Sequence, residues 1–174
     1  MTNCNRMHLK YRKLCMSYNK NYETKQGEKL LHEKLSKLKE QAVKIIDEIA
    51  YAKSFGDLSE NAEYKEAKEV QKKLSQQLSE LTEYKNNLCV VDPENCNVDQ
   101  ISIGATVYLL NLDTDEKKVY KIVGMCESDA SNGLIYYQSP LAKALFGKKV
   151  GDEIEFKPSK DHDFYYEVID IKYH

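Results

Sequence analysis

Seven apolar residues, Leu31, Leu35, Leu38, Ala42, Ile45, Ile49 and Ala52, recur at alternating steps of four and three. A seam kept for three heptads commits this stretch to a long helix lying along another helix. The partner follows directly. Ala67, Val70, Leu74, Leu78, Leu81 and Leu88 repeat the pattern more loosely, and the segment 53–59 between the two carries a glycine and good capping residues. A short break between matched seams reads as an antiparallel helical hairpin. Arms of about 28 residues, at ~1.5 Å rise per residue, are each about 40 Å long. The expected hairpin is a narrow rod with its turn at the far end.

The helical period stops near Val91, where Asp92-Pro93-Glu94-Asn95 is turn chemistry. Beyond it come short β-rich runs at 105–110, 118–123, 134–138, 153–156 and 164–171, separated by Gly, Asn and Asp. Ser139-Pro140 opens a short helical run through Phe146, with Ser as cap, Pro in the first turn and Gly147 as the stop. The fold class expected is α+β. It comprises an N-terminal extension (1–26, poorly ordered at least to residue 15), a coiled-coil hairpin (27–90), a linker (91–100) and a small antiparallel β-sheet domain with one short helix (101–174).

Composition narrows the function. Among 174 residues, 41% are hydrophobic and 31% charged, with 7 Gly and 3 Pro, the balance of a soluble, helix-rich chain. No apolar run approaches the ~20 residues that span a bilayer, and no signal-peptide core opens the chain, so a cytoplasmic protein with no membrane partner is expected. The five cysteines are odd in number and form no Cys-x-x-Cys pair, which speaks against a disulfide framework or a zinc site. His8, His32, His162 and His174 show no ligand spacing. Net charge is −2, yet residues 1–26 carry six Lys/Arg against Glu23 alone, leaving the remainder acidic. An acidic body is poorly suited to non-specific grip on nucleic acid, whose affinity comes mainly from neutralised phosphates.

The turn reads Gly56-Asp57-Leu58-Ser59-Glu60-Asn61-Ala62-Glu63-Tyr64. Asp57 and Glu60 stand three apart at the expected start of the second helix, so both carboxylates can project from one side. On spacing alone this is a capping-box-like pattern, with Asp57 accepting from the backbone and Glu60 reaching back. The other reading is a pair of exposed metal ligands. Mg2+ takes oxygen ligands and often only one or two protein carboxylates. Such a pair could complete a site that another protein half-forms, without holding the ion tightly alone.

The run 56–64, followed by Ala67-Lys68-Glu69, resembles the tip of the bacterial Gre transcript-cleavage factors, nearest the GreA type. The likeness continues through Gly104-Ala105-Thr106-Val107, Tyr120-Lys121-Ile122-Val123-Gly124, the run from Ser139 to Lys148, and Gly151-Asp152, covering about residues 27–173. The resemblance implies an FKBP-like fold for the second domain and a transcription elongation factor acting on RNA polymerase. The globular domain would dock at the rim of the secondary channel, on the largest catalytic subunit, and the hairpin would enter the channel. There the tip would stimulate cleavage of the nascent RNA 3′ end in backtracked or arrested complexes. Asp57 would be a ligand of Mg2+ shared with the polymerase active site, with no ion tightly bound to the isolated protein, and Glu60 would position or polarise the attacking water. The factor would be a monomer that lends catalytic groups to the polymerase rather than a complete enzyme.

Lys53 and Lys68, at places where the family often has a base, would face the extruded RNA; as plain residues they are equally solvated helix-face lysines. Ser139 and Pro140 would lie in the surface that meets the polymerase, besides capping their helix. Tyr64 reads as packing at the base of the tip, and Phe55 is open. The chain departs from the family in lacking an Arg-Pro pair before Ile45-Ile46, where residues 39–44 run one residue short. Near Pro158 a glycine turn is replaced by Ser159-Lys160-Asp161-His162-Asp163, which predicts a looser hairpin. Residues 1–15 have no family counterpart. The competing expectations are a channel-binding inhibitor without cleavage activity, a purely structural coiled-coil adaptor and, from fold alone, a peptidyl-prolyl isomerase, which fold does not justify.

Overall fold

The computed structural model describes residues 20–56, 60–92, 99–159 and 162–173. The chain divides into two compact units: the residues up to Glu28 with those from Leu88 onward, and Lys29–Asn87. The expectation for residues 1–15, and most of the proposed linker, lie outside the described residues.

The helical unit is built from α1 (Lys25–Lys53) and α2 (Ala62–Asn86). On α1 the seam lies where its spacing puts it: Leu31, Leu35, Leu38, Ile45, Ile49 and Ala52 are buried, and Ala42 is half-buried. On α2 one position differs. Val70 is 38% exposed, while Gln71 is half-buried. Running 67, 70, 74, 78 places two steps of four together and swings the stripe off its face, whereas 67, 71, 74, 78, 81 keeps the alternation unbroken. Geometry thus overrides side-chain chemistry at that layer. Ile45, Ile49 and Ala67 form a buried cluster with Tyr64 and Leu74 packed on it, which holds the arms together.

In the other unit, β3 (Ala105–Asn111), β4 (Lys117–Val123), β5 (Leu134–Tyr136), β6 (Glu153–Ser159) and β7 (His162–Tyr173) form one sheet in the order β5-β4-β3-β7-β6. Every strand falls on an expected run. The pairs β3/β4, β3/β7 and β6/β7 are antiparallel, and the edge pair β4/β5 is parallel, a direction that a short apolar run cannot signal. The β6/β7 register slips between Phe156 and Ser159, at the hairpin where the glycine turn is missing. One face carries the core: Val107, Leu109, Ile122, Ile154, Val168 and Ile171 pack with Leu141, Ala142 and Leu145 of α3 (Pro140–Leu145). The class is α+β.

Two strands escaped the sequence reading. β1 (Asn21–Thr24) pairs in parallel with β2 (Leu88–Val91), Asn21 opposite Leu88. The boundaries at 26 and 90 accordingly shift: residues assigned to the extension and to the base of the hairpin belong to the globular unit. Helix α1 also begins earlier than residue 27. Thr24 caps it, its hydroxyl accepting from the N–H groups of Gln26 and Gly27, both at 3.2 Å. The same hydroxyl donates to the Glu127 carboxylate, and Lys25 pairs with Asp92 at 2.7 Å.

Beside this cap lies a fully buried carboxylate, Glu23. Its Oε1 accepts the Cys126 N–H at 2.8 Å. Gly27 and Gly124 wall it in so closely that a Cβ on either would come within 2.1 or 1.9 Å of Glu23 Oε2. A side chain at either place would have to displace this carboxylate. The carboxylate therefore locks the start of α1 to the segment after β4.

Candidate functional site

Helix α1 leaves its last turn through tightened bonds, Ser54 N–H to Tyr51 C=O at 3.0 Å and Phe55 N–H to Ala52 C=O at 3.4 Å. Gly56 follows with φ +97°, a left-handed conformation that costs glycine nothing and lets the chain turn back. Asp57, the expected metal ligand, lies outside the described residues together with Leu58 and Ser59. Glu60 is described and exposed.

The cap of α2 is not where the spacing of Asp57 and Glu60 suggests. The helix starts at Ala62, and Asn61 is its N-cap, with the side-chain oxygen accepting the Tyr64 N–H at 2.9 Å. The other half of the same amide donates to Ala52 C=O at 2.8 Å, across the turn. One side chain thus satisfies an orphan donor of α2 and gives the Ala52 carbonyl of α1 a second, shorter bond beside that from Phe55. Glu63, inside the first turn, is the acid that complements the helix dipole. Glu60 precedes the cap residue, so its carboxylate is not the capping-box partner expected of it.

Lys53 is exposed, with Nζ 6.0 Å from the centroid of the Tyr64 ring, at the outer reach of a cation–π contact. Tyr64 itself packs on the Ile45/Ile49/Ala67 cluster, as its sequence position suggests. Lys68 is exposed and donates to Gln71 Oε1 at 2.8 Å, a contact along its own helix. Lys53, Asn61 and Tyr64 are therefore gathered at the turn, and Lys68 stands apart with Gln71. In the globular unit, Ser139 caps α3 by accepting the Ala142 N–H at 3.3 Å, and Pro140 occupies the first turn, exposed.

Two features at the turn were missed. Asn61 was legible as the best capping residue immediately before Ala62, but the Asp57/Glu60 pair drew the cap upstream. Tyr51 and Phe55 form an edge-to-face pair with centroids 4.8 Å apart and planes at 84°, both largely exposed. The signal for Tyr51 was its place between the seam positions Ile49 and Ala52, which turns it away from the partner helix.

Among the described residues, no group of three or more His, Cys, Asp or Glu side chains could hold a metal. Glu60 is a hard oxygen donor left free of capping duty, a chemistry that fits Mg2+ when other ligands come from elsewhere. No helix among the described residues is long and apolar enough to cross a membrane.

Comparison with known proteins places both segments in order. The family described as transcription elongation factor, N-terminal, matches residues 21–88, and that described as transcription elongation factor, GreA/GreB, C-term, matches residues 95–173. Transcription elongation factor GreA of Nautilia profundicola is 47% identical over 133 residues, 76% of this chain and 82% of the relative. The GreA of Zymomonas mobilis subsp. mobilis is 43% identical over 150 residues, 85% and 92% of the two chains. Among solved structures, the GreA factor homolog 1 protein of Thermus thermophilus is 19% identical, covering 88% of this chain and 99% of that one with a TM-score of 0.41.

Proposed function

The chain belongs to the GreA/GreB family of transcription elongation factors, and on that premise we propose that it stimulates cleavage of the nascent RNA 3′ end by RNA polymerase stalled in a backtracked state. The hairpin enters the secondary channel of the polymerase in the cytoplasm, and the globular unit meets the channel rim through a surface that includes Ser139 and Pro140. The observation that carries the reading is the division of labour at the turn. Asn61 closes the hairpin and caps α2 unaided, which leaves Glu60 exposed for chemistry.

In this reading Asp57 and Glu60 act on a site that the polymerase already half-forms. Asp57 would be one oxygen ligand of Mg2+ bound there, and the ion would supply charge stabilisation to the phosphodiester. Glu60 orients and polarises the attacking water; as the water oxygen bonds to phosphorus, the opposite phosphorus–oxygen ester bond breaks and its oxygen leaves as a hydroxyl. Lys53 and Lys68 offset phosphate charge on the extruded RNA. The protein contributes groups rather than a whole active site, so it turns over nothing by itself.

The test is 3′-end RNA cleavage by a purified backtracked elongation complex, with and without the protein and Mg2+. The expected result is a rate raised by the protein only when Mg2+ is present. No stimulation, or a slowing of both elongation and cleavage, would overturn the reading in favour of a channel-binding inhibitor.

A further inference from the structure

Among the described residues at the end of the hairpin, the two large exposed apolar side chains are both aromatic. Tyr51 is 66% exposed and Phe55 62% exposed, and each is braced by the other, edge to face at 4.8 Å. Isolated surface apolar residues need no explanation. A braced aromatic pair differs, because the edge-to-face contact restrains the rings while both residues stay largely exposed. The pair does not serve the hairpin's own packing. The cluster that joins the arms is Ile45, Ile49 and Ala67 with Tyr64 and Leu74. Lys53 lies between the two aromatics in sequence and is itself exposed.

We propose that Tyr51 and Phe55 form a stacking site for an unpaired base of single-stranded RNA. The proposal rests on the cleavage reading above and adds to it a contact to the base, where the carboxylates and lysines address only phosphate. Exposed aromatic side chains on which bases stack are one means by which proteins hold single-stranded nucleic acid without reading its sequence. The platform tolerates any base, since every base offers a π-face. Phe55 stands two residues before Asp57 in the chain, so a base stacked there is held close to the segment that carries the catalytic acids. A partner protein surface would be served equally by aliphatic side chains, and among the described residues none of the large exposed aliphatics lies between Tyr51 and Glu60.

The test compares the parent with the double variant Tyr51→Leu/Phe55→Leu in single-turnover cleavage by a backtracked complex at saturating factor. Two RNAs are used, one natural and one with abasic nucleotides in the extruded 3′ segment. Leucine keeps the apolar surface and removes the π-face. The parent is expected to cleave natural RNA roughly 5- to 100-fold faster than the double variant, the span set by one stacked base, and to lose that advantage on abasic RNA. Tyr51→Phe and Phe55→Tyr retain the parent rate, and affinity for polymerase, measured by competition, is unchanged throughout. Equal rates for parent and double variant on natural RNA overturn the platform. So does an equal loss on both RNAs, or weakened polymerase binding, which marks an apolar contact with the polymerase. A parent that fails to stimulate cleavage at all overturns the function itself and the platform with it.

Discussion

In the globular unit a carboxylate, Glu23, is wholly enclosed, bonded to the Cys126 N–H and walled by Gly27 and Gly124. At the turn of the hairpin another carboxylate, Glu60, stands exposed beside a helix cap that Asn61 completes without it. Burial of a charge is costly unless its partners are in place, so the first arrangement is architecture. Exposure costs nothing in stability and leaves the oxygen atoms available to a partner. The contrast also runs through the aromatics. Tyr22 and Tyr137 meet edge to face in the core of the globular unit, whereas Tyr51 and Phe55 meet in the open.

The comparison is broken most forcefully by Glu23→Ala. Removing the carboxylate takes its acceptor away from the Cys126 N–H and opens a cavity, and the expected loss is about 2–4 kcal/mol in urea or thermal unfolding. A change within about 0.5 kcal/mol would mean that Glu23 is no lock. Next in size is Asn61→Ala, which removes the cap and the bond to Ala52 together, for about 1–2 kcal/mol. Asn61→Asp keeps the cap acceptor and loses only the donor, so it should fall between the parent and alanine. If aspartate and alanine are equally unstable, the cross-turn bond rather than the cap is what matters.

The smallest effect separates the aromatics by pH. Burial, then the neighbouring Tyr137 and the Glu23 charge, push the Tyr136 hydroxyl from 10.0 up to about 12. Because the folded state holds this proton more tightly than the unfolded one, the stabilisation is complete below about pH 10 and is lost as pH rises through about 12. Tyr136→Phe cannot ionise. Its melting temperature should fall less steeply than the parent's between pH 10 and 12, and parallel curves would contradict the assignment.

Much of this was legible before any coordinates. The heptad seam on α1, the five strands of the sheet and the Ser139 cap are local patterns with strong physical causes, and each is present. The parallel pairing of Asn21–Thr24 with Leu88–Val91 was not, because a four-residue strand has no period of its own and its partner is distant in the chain. Val70 misled because apolar character outranked spacing, and Gln71 holds the seam. At the turn, Asp57, Glu60 and Asn61 are all plausible caps by residue type. The Asn61 amide could reach both helices, a fact of three-dimensional closure rather than of sequence. Tyr51 was visible as an off-seam aromatic, but its pairing with Phe55 depends on how the last turn of α1 unwinds.

The central claim is that the acids of the turn serve chemistry while Asn61 serves structure. Asp57→Asn puts it to the sharpest trial, since asparagine caps a helix as well as aspartate but is a poorer ligand for Mg2+. Cleavage of nascent RNA by a backtracked polymerase is measured alongside the melting curve of the variant. The account predicts a melting temperature equal to the parent's and stimulation reduced by about 100-fold or more, the scale of a lost charge-stabilising group. A variant that melts normally and stimulates cleavage as well as the parent would contradict it.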